Sequence, residues 1–416
     1  MVESTGKIPQ QGSAWSEIRD ALENAGRGDV DWRDARTAVY VFNPGDDVMQ
    51  VAKEAYAMYQ SENGLGMAAF PSIREMEADV VSCGLRLLNA PDEAVGNMTS
   101  GGTESIILAV KACRDSARAR GRDVLGAKIV VPRSAHPAFD KAAAYLGLEV
   151  VRVPVATDFT ADVAAMDRAI DDRTIMLVGS APCFPFGVVD PIAELGKLAD
   201  AHELWLHVDA CVGGYFAPFA RMNGIELPDF DFSVPQVNSM SADLHKYGYA
   251  AKGASTVFHR NEEQRNFQSF VFDDWPAGGM STPTVAGTRP GGAFASAWAV
   301  MHYLGVEGYC EKAKRVTDTR EKLMNAIDEI PGLYTFGQPK LGLFAYGAED
   351  ANVFAIWGAL NAKGWFTGVI TEPQGIQLML SPAHADVADD YIRDLQEALE
   401  QLGGAAAPSD GTPSYN

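Results

Sequence analysis

The chain has 416 residues, 47% hydrophobic and 21% charged, with a formal net charge of −21. That length suits two packed domains rather than one simple core, and that composition suits an ordinary soluble globular protein. So acidic a surface repels phosphate backbones and anionic lipid, which argues against nucleic-acid and membrane-surface partners but leaves a locally basic pocket open.

The five cysteines, Cys83, Cys113, Cys183, Cys211 and Cys310, are scattered without a C-x-x-C pair. They read as reduced thiols of a cytoplasmic protein rather than a disulfide framework. The N-terminus lacks the basic start and apolar run of a signal peptide. The stretch "GGAFASAWAVMHYLG" (291–305) is too short and too glycine-rich to span a bilayer. The first dozen residues and the last fourteen are polar and small, and are expected to be loosely held.

From about residue 100 the hydrophobic period alternates. "TESIILAVKACRDSARARG" places Ile106, Val110, Cys113 and Ala117 at helical spacing. "AKIVVP" (127–132) reads as a strand and "PAFDKAAAYLG" (137–147) as a helix with proline at its start and glycine at its end. Then follow the strand "EVVRVPV", a helix over about 160–171, the strand "TIMLVGS", a helix over about 190–202 and the strand "LWLHVDA". Continuous apolar strands alternating with helices predict an α/β architecture, a mostly parallel sheet covered on both faces. A long helix is expected after residue 290, then strands near "LGLFAYG" and "GIQLMLS", then a helix ending at Gly403. The expected domains are an N-terminal extension and dimer-contact segment (1–59), a large ligand-binding domain (60–290), a smaller C-terminal α+β domain (291–402) and a tail (403–416).

Several stretches carry chemistry. In "GNMTSGGTESI" (96–106), Gly101 and Gly102 precede a helix start, with Thr103 as the expected N-cap. Free N–H groups and the positive end of the helix dipole favour an anion such as phosphate there; the plain alternative is a glycine turn before a capped helix. His207 and Asp209 sit two apart at the end of "LWLHVDA", and a carboxylate at the C-terminal end of a parallel strand lies where α/β ligand sites form. Asp209 suits a cationic ring nitrogen or, less well, a metal; a capping or satisfied buried aspartate is the alternative. His136 precedes a strand-to-helix proline, a place for a capping or surface histidine or for a ring lying against an aromatic ligand. "AGTRPGG" (286–292) gives a loop with Thr288 and Arg289. In "SADLHKYGYAAKG" (241–253), Lys246 stands among small residues after a strand. A lysine becomes a nucleophile toward carbonyls when desolvation or a nearby cation lowers its pKa. With a phosphate-binding helix start and a strand-end aspartate, it completes the equipment for pyridoxal phosphate.

These stretches resemble fold-type I pyridoxal-phosphate enzymes of the group II decarboxylase superfamily, and within it the sphingosine-1-phosphate lyases. The similarity runs from about residue 37 to 400. The most specific stretches are "GNMTSGGTESIILAVKACRD", "HPAFDKAA", "HVDACVGG", "SADLHKYGYAAKG" and "AGTRPGG". The resemblance implies that Lys246 carries the cofactor as a Schiff base, Asp209 partners the ring nitrogen and His136 stacks on the ring. It implies that Gly101, Gly102, Thr103 and His245 hold the cofactor phosphate, with Thr288 reaching it from the partner subunit of a homodimer. It gives Tyr40 a place in the neighbouring site, Lys252 a role in binding a substrate phosphate, Phe184 a wall of the substrate pocket, and His384 a family position in the C-terminal domain.

Two stretches depart from the lyase pattern. "NGLGMAAFPS" (63–72) has Gly66 and Ala68 where the lyases have histidine and aspartate. "SAPCFPFG" (180–187) has Cys183 and Phe184 where they have asparagine and tyrosine. The pocket is therefore more apolar, and each lost charge-assisted bond to a phosphate is worth a few kcal/mol by order of magnitude. The leading expectation is a carbon–carbon lyase: retro-aldol cleavage of a 2-amino-3-hydroxy substrate, with or without a phosphate, to an aldehyde and an amine. Its base is the released Lys246, Tyr40 or a cofactor phosphate oxygen. The alternatives are an amino-acid decarboxylase, a metal hydrolase built on His207, Asp209 and His245, and a cofactor-binding protein without turnover.

Overall fold

The computed structural model describes residues 6, 8–349 and 351–403. The expectation of loosely held termini falls largely on residues 1–5, 7 and 404–416, which lie outside the described residues. The strands expected between 127 and 210 form one half of a seven-stranded sheet, out to its edge. From one edge to the other its order is Val95–Thr99, Ser255–His259, Val237–Ala242, Trp205–Asp209, Thr174–Ser180, Lys128–Pro132 and Glu149–Val153. Ser255–His259 runs antiparallel to both its neighbours, and the other pairings are parallel. Every residue of Thr174–Ser180 and of Trp205–Asp209 is buried, as continuous apolar runs require when helices cover both faces.

The crossover helices take the places that periodicity gives them: Gly102–Ala119, Ala138–Leu146, Val163–Ala169 and Ile192–Ala201. Ile106, Val110, Cys113 and Ala117 are all buried on the first of these. Two strands of this sheet were not expected. Val95–Thr99 is a short sheet-edge strand containing Gly96 and Asn97, and Ser255–His259 is polar at its start, so neither has the apolar run that marks its neighbours.

A second sheet of five strands has the order Thr37–Ala38, Phe366–Thr371, Gln374–Met379, Leu343–Ala348 and Leu333–Thr335. Thr37–Ala38 pairs in parallel with Phe366–Thr367, so the N-terminal segment closes the edge of the C-terminal sheet. The long helix Gly291–Asp328 is broken at Gly305, whose φ of 55° lies in the region that favours glycine. The last helix, Ala388–Leu402, meets its C-cap at Gly403 as expected, and Pro382–Asp386 forms a separate 3-10 turn before it. All five cysteine thiols are free. Among the described residues no helix is long and apolar enough to cross a membrane.

Candidate active site

Because the central strands run parallel, their carboxyl ends come together at one edge of the sheet, where side chains from several loops can face one ligand. A cavity of about 520 Å³ opens there, and each wall follows a strand. Ser100–Glu104 follow Val95–Thr99, His136 follows Lys128–Pro132, and Pro182 and Phe184 follow Thr174–Ser180. Asp209 and Cys211 close Trp205–Asp209, and Asp243, His245 and Lys246 follow Val237–Ala242.

The glycine loop enters the helix at Gly102 with Gly101 as N-cap, so Thr103 lies inside the first turn and is not the cap. No side chain caps the first turn; Glu104 Oε2 instead accepts the N–H of Ser100, ahead of the cap, at 2.6 Å. The first intrahelical bond runs from Ser105 N–H to the Gly101 carbonyl at 3.1 Å. The amides of Gly102, Thr103 and Glu104 precede it, which is the arrangement that binds anions at a helix start. A Cβ at Gly102 would meet the Cys211 sulfur at 2.8 Å and both Asp243 carboxylate oxygens at 2.9 Å. The backbone can come this close only as glycine.

Asp209 is buried, and its Oδ1 accepts the Cys211 N–H at 3.1 Å and the Ser241 hydroxyl at 3.3 Å. His207 is not in the cavity wall. It is fully buried beneath it, with Nδ1 2.8 Å from Ser239 Oγ and Nε2 3.3 Å from Ser241 Oγ. Burial lowers its pKa to about 4, so it is neutral at pH 7. Among the described residues no group of three or more His, Cys, Asp and Glu side chains is placed to hold a metal ion, so the arrangement gives the hydrolase reading no metal cage. His136 does line the cavity. The Ala138 N–H donates to its Nδ1 at 3.1 Å, which fixes the ring, and burial holds its pKa below the usual histidine value against the Asp209 charge.

Lys246 differs from expectation in its electrostatics. Its Nζ lies 2.9 Å from Asp243 Oδ2. Burial is the largest single influence and pulls its pKa down, but Asp243, Cys211 and Asp209 together outweigh it and the net shift is upward. In the chain without cofactor, the contact with Asp243 favours the ammonium form over the depressed-pKa amine that small neighbours suggested. Asp243 was missed in the sequence, although it directly follows the strand Val237–Ala242, adjacent to the one that ends in Asp209. Its parallel neighbour and its place two residues beyond Ser241, the register partner of Asp209, were the available signal. His245 Nε2 lies 3.8 Å from Asp243 Oδ2, and burial keeps His245 below its usual pKa despite that carboxylate. The next residue, Tyr247, is fully buried. Its hydroxyl lies 2.6 Å from the Leu380 carbonyl and 3.1 Å from that of Gly342, which ties the lysine loop to the C-terminal sheet.

Tyr40, expected in a neighbour's site, lines the cavity of its own chain, at a φ of 63° unusual for an aromatic residue. Lys252 lines it too; its Nζ donates to the Tyr40 carbonyl at 3.0 Å and sits 5.5 Å from the Phe42 ring centre. Phe184 forms an apolar wall, held from behind by a hydrogen bond from the Gln377 amide to its carbonyl oxygen. Thr288 is exposed and lies outside the cavity of its own chain. Gly66 and Ala68 do not line it either. His384 is buried away from the cavity, with its Nδ1 2.9 Å from both the Ser381 hydroxyl and the Ser381 amide.

The donor set fits pyridoxal phosphate. One cavity holds a primary amine, a buried carboxylate for a ring nitrogen, a histidine ring, and a helix start that only glycine can shape. Two buried polar atoms of the same wall, Asp243 Oδ1 and His245 Nδ1, have no hydrogen-bond partner within the chain. Buried polar atoms are rarely left so unless a ligand or water completes them.

Comparison with known proteins points the same way. The sequence matches the pyridoxal-dependent decarboxylase conserved domain over residues 4–346. It is 39% identical over 402 residues to a sphingosine-1-phosphate lyase of Arabidopsis thaliana, covering 95% of this chain and 74% of the relative. A solved sphingosine-1-phosphate lyase of Burkholderia pseudomallei superposes with a TM-score of 0.91 at 33% identity, covering 95% of this chain and 92% of that one. A Lactobacillus brevis glutamate decarboxylase superposes with a TM-score of 0.84 at 20% identity, covering 97% and 96%, a likeness of fold.

Proposed function

Since the chain belongs to the pyridoxal-dependent decarboxylase family and is a pyridoxal-phosphate-dependent lyase, we propose that it cleaves the bond between C2 and C3 of a long-chain 2-amino-3-hydroxy substrate, releasing an aldehyde and an amine. When bound, the cofactor supplies an electron sink for the carbon next to the substrate amine.

The chain's own residues divide the remaining work. Lys246 is the amine that would hold the cofactor, and Asp209 the carboxylate that would pair with its ring nitrogen. The amides of the Gly101–Thr103 loop, together with His245, take the phosphate. His136 covers the ring face. Phe184 and Phe42 give the cavity apolar walls and exclude water from the reacting carbons. Tyr40 and the freed Lys246 are the two groups of this chain placed to handle the substrate's hydroxyl proton.

The observation that carries the lyase reading over a decarboxylase is the cation inventory. Among the described residues that line the cavity there is no arginine, and apart from the cofactor lysine the one lysine is Lys252, beside Tyr40. A carboxylate held rigidly for removal is best gripped by the two-pronged guanidinium of arginine, whereas a single ammonium suits a phosphate or hydroxyl on a flexible chain. We place the substrate's anionic or hydroxyl end at Lys252. The replacements at Gly66 and Phe184 leave a phosphorylated and a free substrate both to be tried.

The site is completed by a second copy of the chain. The exposed Thr288 follows the hairpin of Phe270–Phe272 and Met280–Thr282, whose Phe270, Val271, Phe272 and Trp275 are all exposed. An apolar patch of that kind marks an interaction surface. Arg289 roots the segment, its guanidinium 2.9 Å from Glu77 and 3.0 Å from the Met98 carbonyl.

The test is to supply phosphorylated and free long-chain 2-amino-3-hydroxy compounds and assay aldehyde, with carbon dioxide release from an amino-acid panel as the counter-assay. Aldehyde from at least one compound supports the lyase. Carbon dioxide without aldehyde replaces it with a decarboxylase.

A further inference from the structure

Three carboxylates line the cavity: Glu104 is taken up by main-chain amides, and the cofactor accounts for Asp209. Asp209 has its partners in the Cys211 amide and the Ser241 hydroxyl. Asp243 is 3% exposed, and its Oδ1 has no hydrogen-bond partner while its Oδ2 touches the Lys246 ammonium at 2.9 Å. A buried carboxylate left without a cation is costly, and breaking such a pair by removing one partner is strongly destabilising. Asp243 lies close against the glycine loop: a Cβ at Gly102 would lie 2.9 Å from both of its oxygens. The groups around the pair are Asp209, Cys211, His245 and Lys252, with His136 across the cavity. Of these, His245 is the next nearest basic side chain to Asp243, at 3.8 Å.

We propose that Asp243 is a positioning residue that docks the side chain of Lys246 whenever the lysine is not bonded to the cofactor, and keeps it there as an ammonium. It follows that the freed lysine gives up a proton and does not take one. Of the two groups placed to handle the substrate's hydroxyl proton, this leaves Tyr40. The last step rests on the lyase reading; the docking itself does not. The direction of the lysine's shift, upward against burial, agrees with the geometry.

The experiment reads the lysine directly. The full-length chain, stripped of cofactor, is acetylated with a limiting reagent at pH 7 to 11, and modification of Lys246 is followed by mass spectrometry, with Lys252 as the reference in the same region. In the parent protein, Lys246 should titrate above the ordinary lysine value of about 10.4. In Asp243→Asn its modification at pH 9 should rise about tenfold or more, since each unit of pKa is a factor of ten in free amine. Lys252 should change less than about twofold on the same scale. Asp243→Glu should restore slow labelling. Equal Lys246 labelling in the parent and in Asp243→Asn overturns the proposal. If that variant does not fold, as judged by near-UV circular dichroism, the parent midpoint decides alone: at or below the ordinary value, the proposal fails. The labelling needs neither cofactor nor substrate, so absence of aldehyde in the turnover assay would sink the lyase reading without touching this one.

Discussion

The Glu104 carboxylate accepts the Val285 main-chain N–H at 2.8 Å, joining the first turn of the cofactor helix to a segment 181 residues further along the chain. The same oxygen reaches the Ala286 N–H at 3.2 Å, and the other oxygen holds Ser100. One side chain therefore fixes both the glycine loop and the approach to Thr288. Glu104→Ala leaves these amides without their acceptor, at about 1–3 kcal/mol for each one that water does not reach. We expect cofactor affinity to drop tenfold or more, on the order of that single-bond cost, with a lower melting temperature. Glu104→Gln should lie between. Titrating cofactor into the stripped protein by absorbance checks it, and an unchanged affinity in Glu104→Ala would refute the coupling.

Gly102→Ala places a methyl group against the Cys211 sulfur and the Asp243 carboxylate. Overpacking of this kind costs roughly 1–3 kcal/mol. Because the strain falls on the cofactor cradle, cofactor affinity should fall by at least about tenfold, a loss of that size in free energy. A variant that binds cofactor as the parent does would mean that the loop does not bear on the ligand.

Asp209→Asn replaces the carboxylate that we place opposite the ring nitrogen but leaves Lys246 in place. We expect turnover to fall by a factor on the order of a hundred or more, as when a preorganised electrostatic partner is lost, while borohydride still fixes the cofactor on Lys246. Turnover within a few-fold of the parent would remove Asp209 from the chemistry.

The acid response follows from three buried histidines. Burial lowers His207, His259 and His384 each to about 4, below the ordinary value of about 6.5. Their folded-state pKa values are depressed, so between pH 6.5 and about 4 the unfolded chain binds protons that the native chain refuses. Stability is full above pH 6.5 and is lost as the pH falls through that window. Asp190, raised to about 7 by burial, acts in the opposite sense and offsets part of this. Urea midpoints measured at pH 7, 6 and 5 should fall, by more than about 1 kcal/mol per pH unit in stability at the steepest point. A flat profile would contradict the buried neutral state of these rings.

Val271 is 70% exposed and Trp275 53% exposed on the hairpin before Thr288. Val271→Asp with Trp275→Asp should leave the fold intact and shift sedimentation from dimer toward monomer, with turnover falling in step. A parent protein that sediments as a monomer at micromolar concentration would remove the shared site.

The parts of the site readable in the sequence are those made by local pattern. Continuous apolar strands announced the sheet, and residues placed just past strand ends, His136, Asp209 and Lys246, reached the cavity because parallel strands end together. What was not readable depends on pairing across distance. The bridge from Thr37–Ala38 to Phe366–Thr367 joins ends of the chain that share no local signal. The strands Leu333–Thr335 and Phe366–Thr371 are respectively short and broken by Gly368. Asp243 was visible three residues before the lysine, but its partner is set by the turn that follows the strand, and local composition suggested a lysine with nothing beside it. Thr103 misled for another reason: a threonine after two glycines looks like a cap, yet the helix already begins at Gly102 with Gly101 as its cap.

The central claim is that Lys246 is the residue that bears the cofactor. Reducing the cofactor-loaded protein with borohydride and mapping the peptides tests it directly. The account predicts a pyridoxyl group on Lys246 and none on Lys252; a label on another lysine, or no label on a protein that binds the cofactor, would contradict it.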